Sequence, residues 1–218
     1  MKKVLCALLC VLLAVPALGA MSDDDFVRLC GKGSAKKVQA ELQKGANPNA
    51  IAIDRRDVTA LMRATGNDRN PKVLPLLIEA GADVNAKNSS GTTALIWAAS
   101  NVANPKVVSL LLGAGADVNA KNSSGMTALL WHTTVSTDPE VLSLLLEAGA
   151  DVNARNVDGA TALMMAAMHG ADSVEVINAL IKAGADVNAK TAEGKTALDL
   201  ARQVGNENVV KVLEAAGK

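Results

Sequence analysis

His132, His169 and Cys30 are the residues best suited to proton-transfer or nucleophilic chemistry in this chain. A histidine beside a thiol generates a thiolate nucleophile, and two histidines with a carboxylate can hold a metal or share acid–base work. The spacing argues against either. The histidines are 37 residues apart, out of step with the 34-residue period of the surrounding chain. His132 takes a position filled by Ala64, Ala98 and Ala166 elsewhere, so it reads as a packing residue. His169 sits near the end of a short helical pattern and is expected to be exposed. Cys30, in "FVRLC", falls at the same small-residue position and reads as a buried structural thiol.

Asp83, Asp117, Asp151 and Asp186 recur once per period and invite a calcium reading. Calcium needs roughly six to eight oxygens converging on one point. One carboxylate per repeat does not supply that, and local turn bonds account for these aspartates better. No phosphate-binding glycine loop, dinucleotide fingerprint or serine nucleophile motif occurs, and no cofactor is expected. Trp97 and Trp131 hold equivalent positions in adjacent periods, with Arg63, Met165 and Leu200 in the same slot elsewhere. They are either paired anchors for a partner or wedges between helix layers.

The elements that position these residues are repeats. "GADVNAKNSSGTTALIWA" at 81–98 returns as "GADVNAKNSSGMTALLWH" at 115–132, with 15 of 18 positions identical. "GAxxN" begins at Gly45, Gly81, Gly115, Gly149 and Gly184, and "TAL" at Thr59, Thr93, Thr127, Thr161 and Thr196. Both keep spacings of 34 to 36 residues. Within each unit a threonine caps a short apolar helix. A second helix then opens on Asn70-Pro71, Asn104-Pro105 or Asp138-Pro139, with Ser173 as the cap in the fifth unit. A glycine closes the second helix, and "KNSSG"-type residues make a turn with Asn first and Gly last. Asp57 stands where the other turns have glycine, and Pro75 is expected to kink its helix slightly.

This pattern resembles the ankyrin repeat, over roughly residues 23 to 218. The resemblance implies an all-α solenoid of about six helix-loop-helix-turn units, at approximately 23–53, 54–87, 88–121, 122–155, 156–190 and 191–218. The tetratricopeptide repeat has a similar period, but its Trp-Leu-Gly-Tyr pattern has no counterpart in a chain without tyrosine. The family's T-P-L-H signature is altered: proline is alanine throughout, and histidine is Met62, Ile96, Leu130, Met164 or Asp199. The hydrogen bonds of that histidine are therefore expected to be missing. Polar residues in "AKKVQAELQK" and "RQVGNENVVKVLEAAGK" suit terminal caps, so the repeats are expected to form one complete solenoid.

Residues 1–20 differ from the rest. Lys2 and Lys3 precede the apolar run Val4 to Val15, then Pro16 and "ALGA". This reads as a cleavable signal peptide, cut after Gly19 or Ala20, rather than a membrane anchor, which needs about 20 apolar residues. Export to the periplasm or beyond is expected, with no stable membrane insertion after cleavage. Cleavage would remove Cys6 and Cys10 and leave Cys30 without an internal disulfide partner. The 22 basic and 22 acidic residues balance, and no basic stripe stands out, so nucleic acid is not an expected partner.

The resemblance implies a non-enzymatic module that binds an unidentified protein through its concave face and is itself monomeric. Its contacting positions flank the turn glycine or lie late in the first helix. Here they are Arg55, Arg56 and Val58; Ser89, Ser90, Thr92, Ser100 and Asn101; Ser123, Ser124, Met126, Thr134 and Val135; and Val157, Asp158, Ala160, Met168 and His169. The alternatives are an immunity or accessory protein for a periplasmic enzyme or toxin, and an enzyme using Cys30 or His169.

Overall fold

The structure, a computed structural model, describes residues 21–53, 57–67, 71–101, 104–136, 138–169 and 173–217; for Asn101 it describes the backbone alone. The expected signal segment 1–20 lies outside these residues. The chain runs through α1 (Asp23–Lys32), α2 (Ala35–Gln43), α3 (Ala60–Thr65), α4 (Val73–Glu79), α5 (Ala94–Asn101) and α6 (Pro105–Gly113). It continues through α7 (Ala128–Val135), α8 (Pro139–Glu147), α9 (Ala162–Ala167), α10 (Val174–Lys182), α11 (Ala197–Gln203) and α12 (Glu207–Ala216). Odd-numbered helices pack on one another in chain order and form an inner layer, and the even-numbered helices pack behind them. The architecture is all-helical; among the described residues, one isolated bridge, Ile51 to Thr59, is the extent of β pairing.

Short helices are marginal alone, so each must be capped locally and stacked on neighbours. The threonines do the first. The hydroxyls of Thr59, Thr127 and Thr161 accept the third backbone N–H of their helices at 3.1, 3.2 and 3.4 Å. Thr93 and Thr196 do the same for Ile96 and Asp199. Asn104 and Asp138 cap α6 and α8 in front of Pro105 and Pro139. At the other end of α6, the Ala116 N–H reaches back to the Leu111 carbonyl at 3.0 Å, past Gly115 at φ 87°. Stacking does the second. Leu95 and Leu129 inside, and Leu111 and Leu145 outside, are completely or almost completely buried.

Three local expectations change. α4 starts at Val73, not at Pro71. A helix beginning at Pro71 would need an N–H from Pro75 to the Pro71 carbonyl, which proline cannot give. Starting two residues later puts Pro75 in the first turn, where its missing N–H costs nothing, so it removes no helical bond. Asn70, expected as the cap, lies outside the described residues. Ser173 does precede α10 but makes no side-chain cap bond. Its hydroxyl turns toward the His169 carbonyl instead, at 3.4 Å. In the last repeat Asp199 replaces the family histidine without leaving the bonds unmade: its carboxylate accepts the Thr196 N–H at 2.9 Å and hydroxyl at 2.7 Å.

The turns between repeats are built on asparagine. Oδ1 of Asn122 accepts the N–H groups of Ser124 and Met126, and the Gly125 N–H closes on the Asn122 carbonyl. Gly125 has φ 72°, and a Cβ there would stand 3.0 Å from Asn156 Cα of the next turn. Only glycine meets both conditions. Asp57 takes this role in the second repeat with φ 46°, the one described non-glycine residue at positive φ.

Candidate functional site

The groups best suited to chemistry are withdrawn from it. Cys30 is fully buried, and burial pushes its thiol up to about 12. A thiolate is therefore scarce at neutral pH. His132 is also fully buried, and burial lowers its pKa. Its Nε2 lies 3.0 Å from the Asp138 carbonyl, which requires the proton on that nitrogen, while Nδ1 has no hydrogen-bond partner among the described residues. His169 is half-buried rather than exposed, because its ring reaches the Thr134 carbonyl of the preceding repeat. The His169 carbonyl in turn accepts from Asn206 Nδ2 at 2.6 Å. Each histidine thus ends on a backbone carbonyl, and neither is presented to a nucleophile.

The repeated aspartates are likewise occupied by structure. Oδ1 of Asp83, Asp117, Asp151 and Asp186 accepts the N–H two residues ahead, at 2.9 Å in each case. Among the described residues no group of three or more His, Cys, Asp or Glu is placed to hold a metal ion. No described helix is long and apolar enough to cross a membrane.

The surface positions divide by exposure. Ser89, Ser90, Ser123, Ser124, Val157, Asp158, Val135 and Met168 are exposed; Thr92, Ser100, Thr134 and His169 are half-buried. Val58, Met126 and Ala160 are buried, at 1, 7 and 8 % exposure. They follow the turn residue and fold under it, so their side chains are not available for contact. Arg55 and Arg56 lie outside the described residues, as does the side chain of Asn101. Successive turns are joined by backbone bonds, Ser123 N–H to the Ser90 carbonyl at 2.9 Å and Val157 N–H to the Ser124 carbonyl at 3.1 Å. Ala192 continues the row to Asp158 at 2.9 Å. The turns form one hydrogen-bonded strip, so their spacing is fixed before any partner arrives.

With this geometry in place, the sequence model described as "Ankyrin repeats (3 copies)" matches residues 27–122, 61–156 and 129–217. The chain belongs to the ankyrin repeat family. No curated protein matches it.

Within the ankyrin frame, two features went unread in the sequence. Val204, 48 % exposed, ends α11 as Val135, 46 % exposed, ends α7. Stepping the repeat from Val135 through His169 reaches it directly. The second is a groove on α1, α3 and α5 lined by Arg28, Lys32, Arg63 and Trp97. These residues share no motif and meet only through packing. Trp97 and Trp131 are half-buried, packed on the core at one edge and open at the other, as are Met165 and Leu200.

Proposed function

We propose that this chain is a non-enzymatic protein-binding module acting outside the cytoplasm. The observation that carries the binding role is the exposed apolar side chain at the end of three successive inner helices. Val135, Met168 and Val204 are 46, 52 and 48 % exposed. Exposed apolar side chains that recur at the same end of successive helices are suited to contact with another protein. The fixed strip lowers the ordering cost of binding. Family membership supports the same reading, since stacked repeats offer an extended contact surface.

Export rests on the segment 1–20, with its paired lysines, apolar run and small-residue end. Capture with the tagged chain from the envelope fraction of its own cells tests both parts. The expected result is a chain beginning at Ala20 or Met21, in a saturable complex of fixed stoichiometry. An intact Met1 in the cytoplasmic fraction contradicts export. A chain that retains no protein at fixed stoichiometry contradicts the binding role.

A further inference from the structure

The segment that follows each outer helix exposes every second residue. After α6, Asp117, Asn119 and Lys121 are exposed while Val118 and Ala120 are buried. Asp151, Asn153 and Arg155 alternate with buried Val152 and Ala154 in the same way. Asp83 with Lys87, and Asp186 with Lys190, are exposed at the equivalent places. Bonds between repeats hold these residues in line. Lys87 Nζ donates to the Lys121 carbonyl at 3.4 Å, Lys121 Nζ to the Arg155 carbonyl at 3.2 Å, and Arg155 Nη1 to the Lys190 carbonyl at 3.0 Å. Asn119 ties the same backbone through the Asp151 N–H and the Gly149 carbonyl. Each aspartate is held by the N–H that its Oδ1 accepts two residues ahead. The result is a strip with one row of carboxylates and one row of cations, each advancing by one residue per repeat.

The two rows do not neutralise one another by contact. Among the described residues no member of either row forms an ion pair within 4.0 Å. Lys190 also attracts Asp199 of the last repeat, so the middle of the strip is the cleaner case. There, Asp117 with Lys121 and Asp151 with Arg155 have described residues on both sides in sequence and in the adjoining turns. An ammonium has three donors and a guanidinium five, so one bond to the next repeat leaves the others for a carboxylate.

A complementary surface must carry both signs in two parallel rows with this same repeat spacing. The chain itself has that surface. A two-fold axis along the strip lays the carboxylate row of one copy over the cation row of the other, rung against equal rung. Spacing then matches at every rung, and the contact is the same patch on both copies and closes at two. The bonds within each strip fix the charges before association, which lowers the ordering cost. One exposed ion pair contributes little, but several held in register act as a network.

We propose that two copies of this chain associate face to face through this strip, with Asp117 and Asp151 of each against Lys121 and Arg155 of the other. The product is a salt-sensitive dimer in place of the monomer that the family resemblance implies. The strip contains none of Val135, Met168 and Val204, so the inference stands apart from the protein-binding role.

The test is sedimentation velocity on the chain as its own cells produce it, over a range of concentrations at low and high salt. Wild type should approach twice the monomer mass at low salt and return to the monomer as salt is added. Lys121→Asp with Arg155→Asp makes both rows acidic, and Asp117→Lys with Asp151→Lys makes both basic. Each variant alone should dimerise at least about tenfold more weakly. Mixed in equal amounts they should recover the dimer, because every row then meets its opposite. Asp117→Asn with Asp151→Asn removes the charge but keeps an Oδ1 for the turn, so it should weaken the dimer without moving the melting curve. Lys106→Glu with Glu140→Lys, on α6 and α8, should leave the dimer intact.

A wild type that stays monomeric at low salt overturns the proposal, as does a mass that climbs past the dimer. A dimer indifferent to salt and to both reversals overturns it by placing the contact elsewhere. So does a mixture of the reversed variants no more associated than either alone. Capture of another protein by the monomeric variants is expected to persist, so this inference and the protein-binding role fail separately.

Discussion

Asn119 holds the backbone of the next repeat on both sides of Ala150: its Oδ1 accepts the Asp151 N–H at 2.8 Å, and its Nδ2 donates to the Gly149 carbonyl at 3.0 Å. Asn49, Asn85 and Asn153 repeat the arrangement against Asp83, Asp117 and Asp186. One amide side chain therefore satisfies a donor and an acceptor that a turn would otherwise leave to water. It also fixes the distance between repeats.

Replacing Asn119 with alanine breaks both bonds without touching the leucine layers. The expected loss is about 1 to 2 kcal/mol, since each exposed hydrogen bond contributes roughly 1 kcal/mol net. Because repeats are coupled through their interfaces, the denaturation transition should also broaden. Urea unfolding followed by circular dichroism measures both effects. An unchanged midpoint and slope would show that the amide is ornamental.

Asp57 allows a gain. Its φ of 46° lies in the left-handed region, where the other turns place glycine. Asp57→Gly should therefore stabilise the chain by roughly 0.5 to 1 kcal/mol, the relief of left-handed strain less the extra freedom of glycine when unfolded. A lowered urea midpoint would mean that the Asp57 side chain holds the turn by a bond worth more than the strain.

His132 makes the stability sensitive to acid. Burial lowers its pKa below the ordinary 6.5, outweighing the opposite pull of the Asp138 carbonyl and charge. The unfolded chain therefore binds a proton that the folded chain resists. Stability is complete above about pH 6.5 and declines as pH falls below it, until the folded-state pKa is reached. Melting temperatures between pH 8 and 5 should show this decline. His132→Ala should start lower, from the cavity it leaves, and show a flatter profile over the same window. An equal slope in both would assign the acid sensitivity elsewhere.

The elements legible in sequence were those specified by local chemistry. Threonine caps, C-terminal glycines and asparagine turns act within a few residues, and repetition displays them several times. What could not be read depends on partners far along the chain. The reach of Asn119 across 32 residues ends on backbone groups, which carry no sequence mark. The burial of Val58, Met126 and Ala160 follows from how each turn folds back over the residue behind it. The groove of Arg28, Arg63 and Trp97 takes one residue from each of three helices, so no single window contains it. The late start of α4 was readable in principle, since Pro75 excludes a helix beginning at Pro71.

The most direct measurement compares partner affinity for two sets of substitutions on the full chain. Ser90→Glu, Ser124→Glu and Val135→Lys alter exposed positions on the turns and the end of α7. Lys106→Glu and Glu140→Lys alter exposed positions on α6 and α8. Neither set enters the buried layers, so matching melting curves are expected before binding is read, with shifts below about 0.5 kcal/mol for each charge. Titration of the captured partner should then show affinity reduced at least about tenfold by the first set, because it buries unpaired charge, and by less than about twofold for the second. Normal binding by the first set together with lost binding by the second would place the interface on the outer helices and contradict the account.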